Sequence, residues 1–191
     1  TVAAIGLAVQ GAPVVHADGT GIRLQGRLAW LHGAVTASLT WLGQHARRGS
    51  EAFEALGILG GVRGTLVHDG LAGYKGLDCT HSLCNAHHLR ELTFVHEQMN
   101  EKIWDGWAKE MMDLLVQANR EVQALGAPLA QQRRAWYASQ WDALLERGER
   151  YHPYVTPEGA PRGTQGRHKQ SKAHNLLRRL RQYRDDVWRF M

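Results

Sequence analysis

Two short apolar runs in this chain each end in an aspartate. Val14-Val15-His16-Ala17-Asp18 is followed at once by Gly19-Thr20-Gly21, and Thr65-Leu66-Val67-His68-Asp69 is followed by Gly70. Each reads as a buried strand running into a turn. Side chains at the C-terminal ends of adjacent strands converge, and two close carboxylates cannot both ionise without a cation between them. Carboxylate oxygens, with water and a substrate phosphate, suit Mg²⁺ or Mn²⁺. Two such ions can activate an attacking oxygen and stabilise a leaving one in phosphoryl transfer. Asp-Gly is also a common turn dipeptide, so on pattern alone turn capping is the preferred reading of Asp18 and Asp69 over a metal site.

Two further groups carry chemistry. Cys79, His81, Cys84 and either His87 or His88 have the ligand types of a Zn²⁺ site. They crowd into a single short segment, however, and a second Cys pair is lacking, so buried structural cysteine and hydrogen-bonded histidines are the preferred reading over zinc. Between Arg162 and Arg184 the chain carries eight lysines and arginines and no acid. Arg167, Lys169, Lys172, Arg178, Arg179 and Arg181 form a basic loop leading into a basic helix. That arrangement suits salt-dependent, sequence-independent contact with a nucleic-acid backbone, although charge runs of this kind are also ordinary solvated helix faces. The tryptophans Trp104, Trp107, Trp136 and Trp141 have the spacing of a buried helix face, which favours core packing over base stacking.

The elements that would position these residues follow from pattern. Residues 23–36 and 39–43 read as two strands, with Thr36-Ala37-Ser38 as a hairpin turn. Ser50, ahead of Glu51 and Glu54, reads as the N-cap of a short helix that Gly60-Gly61 stops. From Asn85 the period becomes helical: Leu89, Leu92, Val95 and Met99 mark one face. Trp104, Trp107, Met111, Leu114, Ala118, Val122 and Leu125 then keep the three-to-four spacing up to Gly126-Ala127-Pro128. Tyr137, Trp141, Leu144 and Leu145 mark another helix. Residues 148–168 hold three prolines and four glycines and read as a loop. A last helix begins near Ser171, with Leu176, Leu180, Tyr183, Val187 and Phe190 inward. The coarse order is β-β-β-α-β, a short strand near Leu83, and then helices only: an α/β class with an all-helical addition.

Composition narrows the class. The 191 residues carry 23 Lys+Arg against 18 Asp+Glu, a formal charge of +5, with 43% hydrophobic and 21% charged residues. These proportions are ordinary for a globular protein with a core. Disorder, collagen-like repeats and a disulfide scaffold are excluded by aperiodic glycine, 5 prolines and 2 cysteines. No apolar run approaches the roughly 18 residues of a membrane helix, and no basic segment precedes the apolar residues 2–9 as in a signal peptide. A reducing, cytoplasmic setting is expected. The chain starts at Thr1 and ends within a helical pattern, and so reads as a fragment.

Several stretches carry a resemblance in combination. His16-Ala17-Asp18-Gly19-Thr20-Gly21-Ile22-Arg23, Trp30-Leu31-His32, His68-Asp69-Gly70-Leu71-Ala72-Gly73-Tyr74 and Cys84-Asn85-Ala86-His87-His88-Leu89-Arg90-Glu91-Leu92 resemble the insertion-sequence-66 family of bacterial transposases. Asn175-Leu176-Leu177-Arg178-Arg179-Leu180 and Asp185-Asp186-Val187 resemble the segment preceding that family's last catalytic motif. The resemblance implies an RNase H-like core, a mixed sheet with flanking helices, carrying an all-helical insertion. Residues 1–100 would form the first part of the core with both aspartates, 101–168 the helical insertion and Pro/Gly loop, and 169–191 the start of a C-terminal core helix. It implies that Asp18 and Asp69 are catalytic and hold two Mg²⁺ or Mn²⁺ ions. A third acid is implied in an Asn-Asn-x-x-Glu context, a motif these residues do not contain, and Gly19 stands where the family usually shows Glu. Cys84 and His87 would brace the core near the site. Arg90 and Glu91 would orient the second Asp loop or form a surface ion pair. The implied activity is DNA cleavage and strand transfer during transposition. The partners are DNA, both element ends and target, further copies of the chain and accessory proteins of the element. The setting is the cytoplasm, at the nucleoid during action, with no membrane involved. A catalytically dead DNA-binding remnant and another RNase H-like nuclease are the alternative readings.

Overall fold

The computed structural model describes residues 1–98, 106–156 and 169–191. They form two compact units, 1–84 and 85–191. The first holds a five-stranded sheet of β1 (Val14–Leu24), β2 (Arg27–Val35), β3 (Thr40–His45), β4 (Thr65–His68) and β5 (Thr80–Leu83). Its spatial order is β3-β2-β1-β4-β5. β1, β2 and β3 form an antiparallel meander, while β4 lies parallel to β1 and β5 parallel to β4. This mixed sheet with flanking helices is the RNase H-like, α/β arrangement that the resemblance implies.

The strands differ in length from the sequence reading. Gly19-Thr20-Gly21 is not a turn: β1 runs on to Leu24, and Gly19 and Gly21 pair with His32 and Trp30 of β2. The two rings lie over these glycines on the same face of the sheet, with His32 Nδ1 3.5 Å from where a Cβ of Gly19 would stand, an ordinary contact distance. The reversal comes instead at Gln25 and Gly26, which interrupts the single strand expected over 23–36. Both residues have positive φ, 48° and 77°, the requirement of a two-residue hairpin turn. The expected turn after β2 is present, with the Thr36 N–H donating to the Leu39 carbonyl at 2.8 Å.

The apolar residues 2–9 belong to helix α1 (Val2–Gln10), which is capped by the Thr1 hydroxyl and lies against β3. Helix α2 (Ser50–Leu56) also borders β3. Gly49, not Ser50, occupies its N-cap, and it ends at left-handed Gly57 before reaching Gly60-Gly61, which belong to a separate 3₁₀ turn. Val9, Val15, Ala34, Phe53, Leu66 and Tyr74 belong to the core of this unit.

The second unit is helical: α3 (Asn85–Gln98), α4 (Trp107–Leu125), α5 (Gln131–Tyr151), α6 (Lys172–Gln182) and α7 (Arg184–Trp188). α4 ends at Gly126, where the sequence places the break. α5 continues through Gly148 to Tyr151, into residues read as loop, because Gly148 packs under Leu177 and Trp107. The Ser171 hydroxyl caps α6 by accepting from the His174 N–H at 3.0 Å. The final helix is broken at Tyr183, which separates α6 from α7. Trp107 and Trp141 are buried as expected, whereas Trp136 is 40% exposed. One residue from the inward Tyr137, it is turned about 100° off the buried stripe, with the Arg133 guanidinium 4.2 Å above its ring. Met99 and Trp104 lie outside the described residues.

Candidate metal centre

The parallel ladder between β1 and β4 ends at the pair His16 and Val67. Asp18 and Asp69 each lie two residues beyond that pair, so both sit at one level on neighbouring strands. Side chains alternate with period 2, so both point to the same side. Asp18 is still inside β1, held by its pairing with Gly33 of β2, while Asp69 is the first residue past β4. Their carboxylate oxygens come within 4.8 Å of each other.

Asp69 is tightly held. Its Oδ1 accepts the Leu71 N–H at 2.9 Å, and its Oδ2 accepts Arg48 Nη2 at 2.6 Å. Only 13% of the side chain is exposed. Asp18 is exposed, and its Oδ1 accepts the N–H of Gly19 at 2.7 Å. The turn after Asp69 needs Gly70, whose φ is +85°, a region that costs a residue with a Cβ roughly 1–2 kcal/mol.

Behind the turn runs a line of buried rings. Tyr74 stacks on Phe53 of α2 and on His68 of β4, each with centroids 4.6 Å apart. The Gly70 N–H donates to His68 Nδ1 at 3.0 Å, so His68 carries its proton on Nε2 and donates to His81 Nδ1 at 3.1 Å. His81 in turn donates from Nε2 to the Leu77 carbonyl at 3.2 Å. This order of donors and acceptors satisfies all three bonds. The Cys84 N–H donates to the His68 carbonyl at 2.8 Å. Burial pushes the Tyr74 phenol well above its ordinary range, and the charges of Asp69 and then Asp18 push the same way, so it stays protonated beside the acids.

Arg48 lies in the loop between β3 and α2, where no motif or spacing in the sequence marks it as a site residue. Its guanidinium lies 5.0 Å from the centre of the Trp30 ring as it reaches Asp69. The loop is pinned by His32, 3% exposed, whose Nε2 donates to the Arg47 carbonyl at 3.1 Å. Trp30 and His32 stand in a stretch that carries the family resemblance, but their contacts with Gly19, Arg47 and Arg48 come only from pairing β2 with β1 and β3.

The oxygen donors of Asp18 and Asp69 fit a hard divalent cation. Two carboxylates this close need positive charge between them, and Arg48 supplies some of it. Among the described residues neither Cys79 nor His81 is grouped with this pair as a ligand, and His81 bonds to His68 and Leu77.

The other expected site residues belong to the second unit. His87, Arg90 and Glu91 lie on α3, where Arg90 is exposed and Glu91 pairs with Arg179 of α6. His88 is buried, its Nδ1 3.0 Å from Asn85 Oδ1. Of the basic stretch, Arg181 pairs with Glu149 at 2.7 Å, and Lys172 Nζ lies 4.1 Å over the Phe94 ring. Lys169 and Arg178 are exposed, and Arg167 falls outside the described residues. No helix among the described residues is long and apolar enough to cross a membrane.

Comparison with known proteins gives three results. A search of the curated proteins finds no match. Among solved structures, one similar chain comes from a cryo-EM structure of the simian T-cell lymphotropic virus intasome in complex with the PP2A regulatory subunit B56 gamma. The identity is 16% and the TM-score 0.30, over 52% of this chain and 46% of that one. The family described as Transposase IS66 family matches residues 1–191, the full length of the sequence given, and the chain therefore belongs to the IS66 family of transposases.

Proposed function

We propose that this chain contributes Asp18 and Asp69 to a divalent-metal site for phosphoryl transfer on DNA, cutting at element ends and joining them to target. The observation that carries this reading is the level placement of the two carboxylates, with oxygens within 4.8 Å, at the end of a parallel strand pair. Mg²⁺ or Mn²⁺, when bound, supplies activation of the attacking oxygen and stabilisation of the leaving one. The chain's own part is to hold the acids. β1 and β2 fix Asp18 by backbone pairing, while Leu71 and the ring stack behind His68 fix Asp69. A third carboxylate in an Asn-Asn-x-x-Glu context would complete the site by analogy with the family, and residues 1–191 contain no such motif.

Cys84, His87, Arg90 and Glu91 are proposed as positioning residues around the second acid. Lys169, Lys172, Arg178, Arg179, Arg181 and Arg167 are proposed as contacts to the DNA backbone, which a basic stretch without acids supports. Further copies of the chain and accessory proteins of the element belong to the same proposal.

The test is an in-vitro strand-transfer assay on the protein extended to include the third acid, with labelled element ends and Mg²⁺ or Mn²⁺. Asp18→Ala and Asp69→Ala should each lower the rate by about a hundredfold to a thousandfold, the scale of removing a preorganised charge-stabilising group. Full activity in either variant overturns the assignment. Cleavage without joining would indicate an RNase H-like nuclease with another substrate.

A further inference from the structure

We propose that Arg48 is a displaceable counter-cation of the acidic pair: it holds Asp69 until a divalent ion arrives, and it must give up Asp69 Oδ2 for that ion to bind. This rests on the metal reading of Asp18 and Asp69 and adds a competition that the reading does not contain.

Three observations support it. First, Arg48 Nη2 is 2.6 Å from Asp69 Oδ2, the one carboxylate oxygen that the Leu71 N–H does not already hold. A guanidinium and a metal ion cannot both hold that lone pair at contact distance. Second, apart from this bond the guanidinium has the Trp30 ring beside it, 5.0 Å from the ring centre, as its further partner among the described residues. Its Nε is buried with no hydrogen-bond partner among the described residues, an arrangement that costs free energy unless a strong charge contact offsets it. The Asp69 contact is that offset, and the arginine loses its reason to stay once the carboxylate is taken. Third, a way out exists. The Arg48 side chain is 34% exposed, so its head can swing to water. The loop backbone stays pinned by His32 through the Arg47 carbonyl, leaving a side-chain movement over the Trp30 ring.

The consequence is inverted relative to an ordinary site residue: removing Arg48 should strengthen metal binding. Calorimetric titration of the intact chain with MnCl₂ is the direct test. Arg48→Gln should bind Mn²⁺ about tenfold more tightly than the parent, since a partly buried competing charge has gone. Arg48→Lys, which keeps the charge, should stay within about twofold. Asp69→Asn should abolish the binding. A second readout needs no affinity change: Mn²⁺ should alter the tryptophan emission of the parent as the guanidinium leaves Trp30, and Trp30→Phe should remove that alteration. Should Arg48→Gln fail to fold, this emission test decides alone. Equal or weaker Mn²⁺ binding by a folded Arg48→Gln, or no Trp30-dependent change on Mn²⁺ binding, overturns the proposal while leaving the Asp pair as a metal site. Mn²⁺ binding that is absent, or that survives in Asp69→Asn, overturns the metal reading and this proposal with it.

Discussion

At the scale of single residues, charge and burial decide protonation. His88 lies inside the helical unit, where burial pushes its pKa down to about 4, helped by the nearby Arg179 and His87 charges. The folded state therefore keeps His88 neutral over a range in which an unfolded chain would take up a proton. Its contribution is complete above the unfolded value of about 6.5. It is lost as pH falls from there toward 4, up to about 3 kcal/mol in all. Urea unfolding at pH 7.5, 5.5 and 4.5 should show a falling midpoint, and His88→Gln should flatten the part of that slope between pH 6.5 and 4.5. The segment from His68 to Tyr74 shows how much one motif can hold at this scale. It supplies the imidazole behind the turn, the acid, the positive-φ glycine, the N–H on Asp69 and the stacked phenol.

Elements meet where side-chain size allows. At Gly148 α5 packs tightly on α6: a Cβ there would lie 2.7 Å from Leu177 Cδ2 and 3.1 Å from Trp107 Cδ2. Gly148→Ala gains about 0.5–1 kcal/mol of helix preference but overpacks the contact by about 1–3 kcal/mol. The net expectation is a loss of about 1 kcal/mol in chemical denaturation. Combining it with Leu177→Ala should cost less than the sum of the two single changes, because the cavity made by one accepts the methyl of the other. The ion pairs that link the helices, such as Arg181 with Glu149 and Arg184 with Asp142, are about 40% exposed. Each is therefore worth at most about 1 kcal/mol, and their value lies in fixing which arginines face which acids.

For the molecule as a whole, the formal charge of +5 and the acid-free basic stretch set how it should respond to salt. Affinity for duplex DNA of any sequence should fall steeply as salt rises. Lys169 and Arg178 are exposed, while Arg179 and Arg181 are held by Glu91 and Glu149. If the exposed pair carries backbone contacts, replacing both by glutamine should lower the slope of log K against log salt by about two. Fluorescence anisotropy with a labelled duplex at several salt concentrations measures this, and an unchanged slope removes the two residues from the interface.

What the sequence alone determined was whatever rests on local pattern. Short apolar runs placed strands at Val14 and at Thr65, and both runs ended in the aspartates that the fold brings together. The three-to-four spacing marked the buried stripes of α3 to α6, and Ser171 and Gly126 marked helix ends, since capping is a property of adjacent residues. Motifs matched in combination pointed to the family. Tertiary structure decided the rest, because it depends on residues far apart in the chain. Gly19 and Gly21 look like a turn until β2 is laid beside them and pairs with their backbone. Gly148 looks like a loop residue until α6 packs on it. Arg48 has no motif of its own, and its role exists only because the β3–α2 loop returns it to Asp69, twenty-one residues on. Which of the basic residues pair with acids is likewise a matter of helix packing, since a guanidinium finds its carboxylate through space.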